Sequence, residues 1–390
     1  VKIREIRAFE LNLKPAPFGD SKAVSTRPRW QDTAEIANPM SRYPKYKPLR
    51  SLWTPGWGGV GCLVTAEDGT WGLGMSRYGK PVIEIINGHF APRLEGENCM
   101  ATEKIWDMMF RLASPYSTPG LASYAISAVD LALWDLKGKL LKKPVYELLG
   151  GPARDRQVCY ATGFDTDWHM ELGFKATKVP CPYGAADGLA GLEKDEELVA
   201  KTRELVGPSV DVMLDCWMAF DVEFTIRLVE RLRPYGLRWL EDCLIPEDLD
   251  SFVEMRRRVP WQNMAGGEHW YTPLPFSFAA SRRLLEVFQP DIEWVGGVTA
   301  LVKICHIAEA AGISVIPHGG METAYGQHVS FAMPSTPWGE YILRTPPGVP
   351  LQEAPNLPGV PVPNDGFLVP NNAPGFGLEV DLAWLEERAM

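Results

Sequence analysis

Beyond Arg156 the chain settles into one repeated pattern: a short apolar run, a polar or glycine-rich tip, then an amphipathic helix. Eight tips can be placed, at 160–163 (YATG), 178–180 (KVP), 213–215 (MLD), 239–242 (WLED), 266–269 (GGEH), 289–292 (QPDI), 316–320 (IPHGG) and 339–342 (GEYI). The helices between them show apolar residues at helical spacing, as in FTIRLVERLR from Phe224 and ALVKICHIAEAAG from Ala300, the latter stopped by Gly312 in a C-cap position. Strands alternating with helices in this number predict a closed parallel β/α barrel. In such a barrel every strand ends on one face, so the side chains at the tips converge.

The region before the barrel is of another kind. IREIRAF and the two halves of GCLVTAEDGTWGLG read as strands, with Asp68-Gly69 as a hairpin turn. Between them runs Lys14 to Trp57, rich in Pro, Arg, Tyr and Trp, without periodicity and far longer than an ordinary connection. Such a loop reads as either disordered or a functional lid. A helix from Ala125 ends at Pro144, a second short one reaches Gly150-Gly151, and Thr345 to Phe376 reads as an ordered Pro/Gly-rich tail.

Composition narrows the partners. A formal net charge of -10, with no basic run and interleaved aromatics, argues against a nucleic-acid surface and leaves a small molecule. The seven cysteines are odd in number, scattered and without a CxxC pair, so they read as reduced thiols. The charged start VKIREIRAFEL is no secretory segment, and no apolar run of about 18 residues is present to span a bilayer. A cytoplasmic protein is expected.

The residues closing successive strands are Asp215, Glu241, Glu268, Asp291 and His318, at intervals of 26, 27, 23 and 27 residues. Taken singly, an acid at a strand end is most simply a helix cap, and a lone histidine a packed residue. The regular spacing overturns that, because one βα unit of a barrel takes roughly 30 residues. Three neighbouring carboxylates do not all stay ionised without a cation between them, and oxygen donors with open positions suit Mg²⁺. Asp291 beside His318 fixes an imidazole tautomer and raises its basicity, as a general base requires. Cys216 and Cys243 read as packing rather than ligands, and His89, His169 and His306 as solvated or packed.

At these residues the sequence resembles the enolase superfamily in its mandelate racemase subgroup, and most closely the L-rhamnonate dehydratases. The likeness rests on AISAVDLALWDLKGKLLKKPV, GFKATKVP, VMLDCWM, LRWLEDCL, GGEHW, QPDIEWVGG and IPHGG, with NPMSRY in the long loop. It implies a (β/α)7β TIM-type barrel at 151–345 under an N-terminal α+β capping domain at 1–150. The lid at about 14–57 belongs to the cap, and the tail 346–390 completes it. It further implies one Mg²⁺ on Asp215, Glu241 and Glu268, the Asp291–His318 dyad as base, and Glu340 near the reacting oxygen, where a protonated carboxyl could donate a hydrogen bond. Substrate contacts are implied for Arg50, Lys178, His269 and Arg29, the last standing where a family lid histidine falls. The implied chain is a homo-oligomer acting on a small acid sugar.

Departures from the wider family select among its reactions. Where many relatives have Lys-x-Lys, this chain reads Lys178-Val179-Pro180, and proline moves no proton. With one base only, dehydration of an L-rhamnonate-type acid sugar to a 2-keto-3-deoxy acid is expected. The alternatives are an epimerase, racemase or cycloisomerase of the same superfamily, or a non-catalytic binding protein of this fold. The loop after His318, GGMETAYGQH, is longer than the resemblance leads one to expect.

Overall fold

The structure, a computed structural model, describes residues 1–11, 13, 25 and 27–389, so the lid expectation for 14–24 lies outside the described residues. Strands β1 (Ile3–Leu11), β2 (Gly59–Ala66) and β3 (Trp71–Arg77) pair antiparallel in that order, with Gly69 turning β2 into β3 at φ +89°. Gly72 and Gly74 leave β3 bare on one face, and the helix Leu121–Leu141 lies directly against it. A Cβ at Gly74 would run into the carbonyl oxygen of Ala128 and come within 2.7 Å of Ala132 N. That helix is apolar nearly all round because it is covered on both sides, by β3 and by the barrel helix Gly297–Ala311. Its buried polar groups bind the second neighbour: Asp130 accepts from Thr299 N–H (2.9 Å) and O–H (2.6 Å), and Ser127 Oγ from Gly296 N–H (2.8 Å).

The second sheet contains β4 (Gln157–Thr162), β5 (Ala176–Pro180), β6 (Asp211–Asp215), β7 (Leu240–Glu241), β8 (Met264–Gly266), β9 (Val287–Phe288), β10 (Ser314–Val315) and β11 (Trp338–Ile342). All pair parallel, in the order β10-β9-β8-β7-β6-β5-β4-β11, and β12 (Phe367–Leu368) adds antiparallel to β4. Val315 N–H donates to Ser335 O (2.8 Å), just ahead of β11, and so links the two ends of the sheet. The helices Thr166–Glu171, Gly188–Val206, Val222–Leu232, Leu249–Arg258, Leu274–Arg282, Gly297–Ala311 and Ala324–Ala332 fill the crossovers. This is the (β/α)7β barrel that the alternation predicts, under an N-terminal cap.

One side chain from or next to each strand plugs the barrel: Tyr160, Ala176, Met213, Trp239, Ala265, Val287, Ile316 and Trp338. Tyr160, Trp239 and Trp338 meet one another with ring centroids 5.7, 6.2 and 6.5 Å apart, which fills the lumen and makes it a floor rather than a pore. The chain's end returns to its beginning. Leu357 and Leu385 enter a core with Leu11, Leu63 and Leu73, Ala389 bridges to Leu11, and Gly375 bridges to Pro144. Buried Asp135 accepts the N–H of Leu73 (2.9 Å) and of Phe376 (3.0 Å), joining strand, helix and tail at one carboxylate. Among the described residues no helix is long and apolar enough to cross a membrane.

Candidate active site

Above the plug, the tips of the barrel strands place acids and bases in one bowl. Fully buried Lys178 at the end of β5 pairs with Glu241 and with Glu340 (2.7 Å), and stands 3.6 Å from Asp215 Oδ2. Glu241 Oε2 also accepts from Trp239 Nε1 (3.1 Å) and Gln289 Nε2 (2.7 Å). Glu340 accepts from Thr162 Oγ1 (2.5 Å) and Gly319 N–H (2.9 Å). Immediately after the acids the chain turns in left-handed conformations, at Trp217 (φ +40°), Met218 (+60°) and Asp242 (+47°). Such strain in non-glycine residues is retained where a site over-determines it.

Two imidazoles follow. His318 Nδ1 lies 2.8 Å from Asp291 Oδ2 and its Nε2 3.0 Å from Glu268 Oε2. His269 Nδ1 lies 3.1 Å from Asp242 Oδ2 and 3.2 Å from Glu268 Oε1, so Glu268 sits between two histidines. Burial alone would raise the Glu268 carboxyl, but the two imidazoles hold it well below the usual range. Burial likewise opposes the charge on His318, and Glu268 and Asp291 overcome it, so the imidazole is held well above its ordinary value. Glu241 is pushed up to about 8 by burial, against the pull of Lys178.

An aromatic wall closes one side. Trp53, Trp217, His269, Trp294 and His318 follow one another with ring centroids 5.9, 6.0, 5.7 and 5.1 Å apart. Arg50, from the segment above, lays its guanidinium 3.2 Å from the Trp217 ring centroid, with Asp215 and Glu268 as its carboxylate neighbours. The same segment is pinned to the barrel loops. Trp30 Nε1 (2.9 Å) and Gln31 donate to Leu343 O, Ala37 N–H to Cys181 O (2.8 Å), and Lys47 pairs with Asp187 and with Glu35 (3.3 Å).

Thus Lys178, Asp215, Glu241, Glu268, His269, Asp291, His318 and Glu340 come together, and Arg50 reaches them. Arg29 does not. Its guanidinium is bound by Asp32 through Nε (2.8 Å) and Nη2 (2.9 Å), and its neighbours Trp30 and Gln31 reach the barrel in its place. The expected proton-bearing Glu340 is corrected too: three donors converge on it, Lys178 among them, so it stands as a carboxylate held below its ordinary range. The three expected metal ligands do not close on a single point, since the Lys178 ammonium stands between Asp215 and Glu241. The compact set of possible ligand atoms among the described residues is Asp242, Glu268 and His269, all within 4.8 Å of one another. Asp242, Gln289, Trp217 and Trp294 escape a reading of strand tips alone. Adjacency to a tip acid is the signal that could have drawn attention to two of them, Asp242 directly after Glu241 and Trp217 two residues after Asp215, though not to the wall that Trp217 joins.

Residues 166–384 match the enolase C-terminal domain-like family, and residues 60–150 the N-terminal domain of the mandelate racemase / muconate lactonizing enzyme family. An L-rhamnonate dehydratase of Saccharopolyspora erythraea is 40% identical over 388 residues, covering 98% of this chain and 97% of that one. The crystal structure of rhamnonate dehydratase from Gibberella zeae complexed with Mg superposes with a TM-score of 0.89 at 33% identity, covering 100% of this chain and 96% of that one. The 3,6-anhydro-D-galactonate cycloisomerase from Zobellia galactanivorans follows with a TM-score of 0.75 at 27% identity, each chain covered completely (100%). A barrel with acids on consecutive tips, a His–Asp dyad and family matches over most of its length together make this chain an enzyme of the enolase superfamily, in its mandelate racemase / muconate lactonizing enzyme branch.

Proposed function

We propose that this chain is a Mg²⁺-dependent hydro-lyase that dehydrates an acid sugar of the L-rhamnonate type to a 2-keto-3-deoxy acid. The observation that carries the reading is the asymmetry of the bowl. On the dyad side His318 is oriented by Asp291; on the β5 side stands Pro180, and Lys178 is committed to Glu241 and Glu340. Inversion at a carbon needs a proton carrier on both faces, whereas loss of water can be managed by one. The name and Mg complex of the relatives point the same way.

Asp215, Glu241 and Glu268 are the residues that would hold the metal, the Lys178 ammonium between the first two turning to the substrate carboxylate. Their donors are all hard oxygens, and the hydrogen bond that Asp215 accepts among the described residues, from Trp217 N–H (3.2 Å), falls on Oδ1 and leaves Oδ2 with none. When bound, Mg²⁺ stabilises the negative charge that develops on the substrate carboxylate as the α-proton leaves. His318 takes that proton at Nε2 while Nδ1–H donates to Asp291. For this, Glu268 must give up its contact with Nε2, as it would on turning to a cation. The imidazolium then returns the proton to the departing 3-hydroxyl. Glu340 works through Lys178, holding the ammonium toward the substrate carboxylate, and Arg50 contributes from the lid. In this reading 1–150 and 346–390 enclose the substrate and 151–345 performs the chemistry.

Incubation with L-rhamnonate and Mg²⁺, scored for 2-keto acid, tests the proposal. Chelation should abolish turnover and added Mg²⁺ restore it. No 2-keto product from any monoacid sugar would sink it. Cycloisomerisation, the activity in the name of one structural neighbour, also needs a single base, and a product of unchanged mass would favour it. Assembly as a homo-oligomer belongs to the same reading, and a monomer mass by light scattering would refute that part.

A further inference from the structure

Four charged residues around the dyad side of the bowl are left unused by the chemistry at C2 and C3. They are Arg77 on β3, Glu293 two residues beyond Asp291, Glu322 in the long loop after His318, and Arg344 just beyond β11. The guanidinium of Arg344 binds Glu322 through Nε, and among the described residues it has no other hydrogen-bond acceptor. Its side chain is 41% exposed, that of Glu322 only 11%. Arg77 lies over Trp294, 5.1 Å from the ring centroid, and Glu293 faces Arg77, Arg344 and Glu322. Placement on one strand orders these groups by height. Parallel pairing of β11 with β4 continues to Leu343, whose N–H donates to Thr162 O (3.1 Å). Glu340, Ile342 and Arg344 therefore share one side of the strand, each about 7 Å above the last. Ile342 is half-buried, and its Cδ1 reaches within 3.6 Å of where a Cβ on Gly319 would lie, beside His318.

A six-carbon chain covers about one such step, so with its carboxylate at the floor beside Glu340 its far end would lie at the height of Ile342, where the Glu322 carboxylate also stands beside Gly319 and carries Arg344. Resting on the dehydratase reading above, we propose that Arg344 and Glu322 determine specificity at that end, selecting a monoacid with a hydroxyl on its terminal carbon over a deoxy sugar or a diacid. A hydroxyl answers both groups at once, donating to Glu322 and accepting from Arg344. A methyl makes no hydrogen bond to either group and takes water from the pair, and a second carboxylate has no proton for Glu322 and meets its like charge. A fork already neutralised by a carboxylate is poorly suited to binding another anion.

L-mannonate and L-rhamnonate differ in that terminal hydroxyl and provide the test. The parent should show the higher kcat/KM with L-mannonate. Arg344→Met should lower that value by about tenfold or more, mainly through KM, and change the value for L-rhamnonate by less than about threefold. Glu322→Gln should raise turnover of the corresponding diacid. Should Arg344→Met fail to fold, Arg344→Lys, which keeps the charge and loses the fork, is read for the same ratio. A ratio unchanged in the variants, or a parallel fall on both acids, overturns the distal pair while leaving dehydration intact. A parent that dehydrates neither acid removes the dehydratase reading and the pair with it.

Discussion

His318 is gripped by a carboxylate at each ring nitrogen, Asp291 at Nδ1 and Glu268 at Nε2. In the proposed reaction Asp291 orients and Glu268 releases. His318→Asn should therefore lower turnover by about 10²–10⁴-fold and remove α-proton exchange in deuterated water while the substrate still binds. Asp291→Asn leaves the ring in place and should retain measurable exchange, with turnover down by about 10–100-fold. Equal exchange in parent and His318→Asn would assign the base elsewhere. Trp217 offers a separate test, because its ring carries the Arg50 guanidinium. Trp217→Ala should raise KM by about tenfold with a smaller effect on kcat, the loss of a desolvated cation–π contact. The dyad and the acids were legible in the sequence because a strand tip fixes where its side chain points. Trp217 and Trp294 were not, since a wall built from loop residues depends on left-handed turns that no spacing announces.

Among the elements, the short strands were the surprise that did no harm. β7, β9 and β10 are two residues long, yet their positions were readable because each is followed by a tip residue and a helix of ordinary length. The lid was legible only as a length of chain without periodicity. Which of its residues face the barrel, Trp30 and Gln31 rather than Arg29, follows from the short helix Trp30–Thr33, whose preceding residue, Arg29, is tied by its side chain to Asp32. Likewise the length of the loop after His318 was visible, but not that it delivers Glu322 to Arg344. Contact between β3 and the helix Leu121–Leu141 gives an element-scale prediction. Gly74→Ala must push the helix off the strand and should destabilise by about 1–3 kcal/mol or more, seen as a lower urea midpoint at unchanged slope. A midpoint equal to the parent's would mean that the helix yields freely.

For the molecule as a whole, two buried histidines outside the reacting set make the fold less stable in acid. His169, bonded through Nδ1 to Thr177 Oγ1 (2.7 Å), and His328, beside Phe376, are fully buried, and burial lowers each to about 3. Unfolding frees them to titrate near their ordinary value of about 6.5, so the unfolded chain takes up protons that the folded one refuses. Stability from this source is complete above about pH 6.5 and declines as pH falls toward 3, by up to about 1.4 kcal/mol per pH unit for each ring. His328→Phe should flatten the fall in urea-determined stability between pH 7 and pH 5; an unaltered slope would exclude His328 from it. The carboxylate of Asp135, which holds Leu73 and Phe376 together, has a consequence in time. During synthesis the barrel strands leave the ribosome before the tail that completes the cap, so the first sheet to be made is the last to be finished. Refolding of the full chain must likewise close a contact between residues 241 apart, from Asp135 to Phe376, so amide protection should reach β4 to β10 before Leu73 and Phe376.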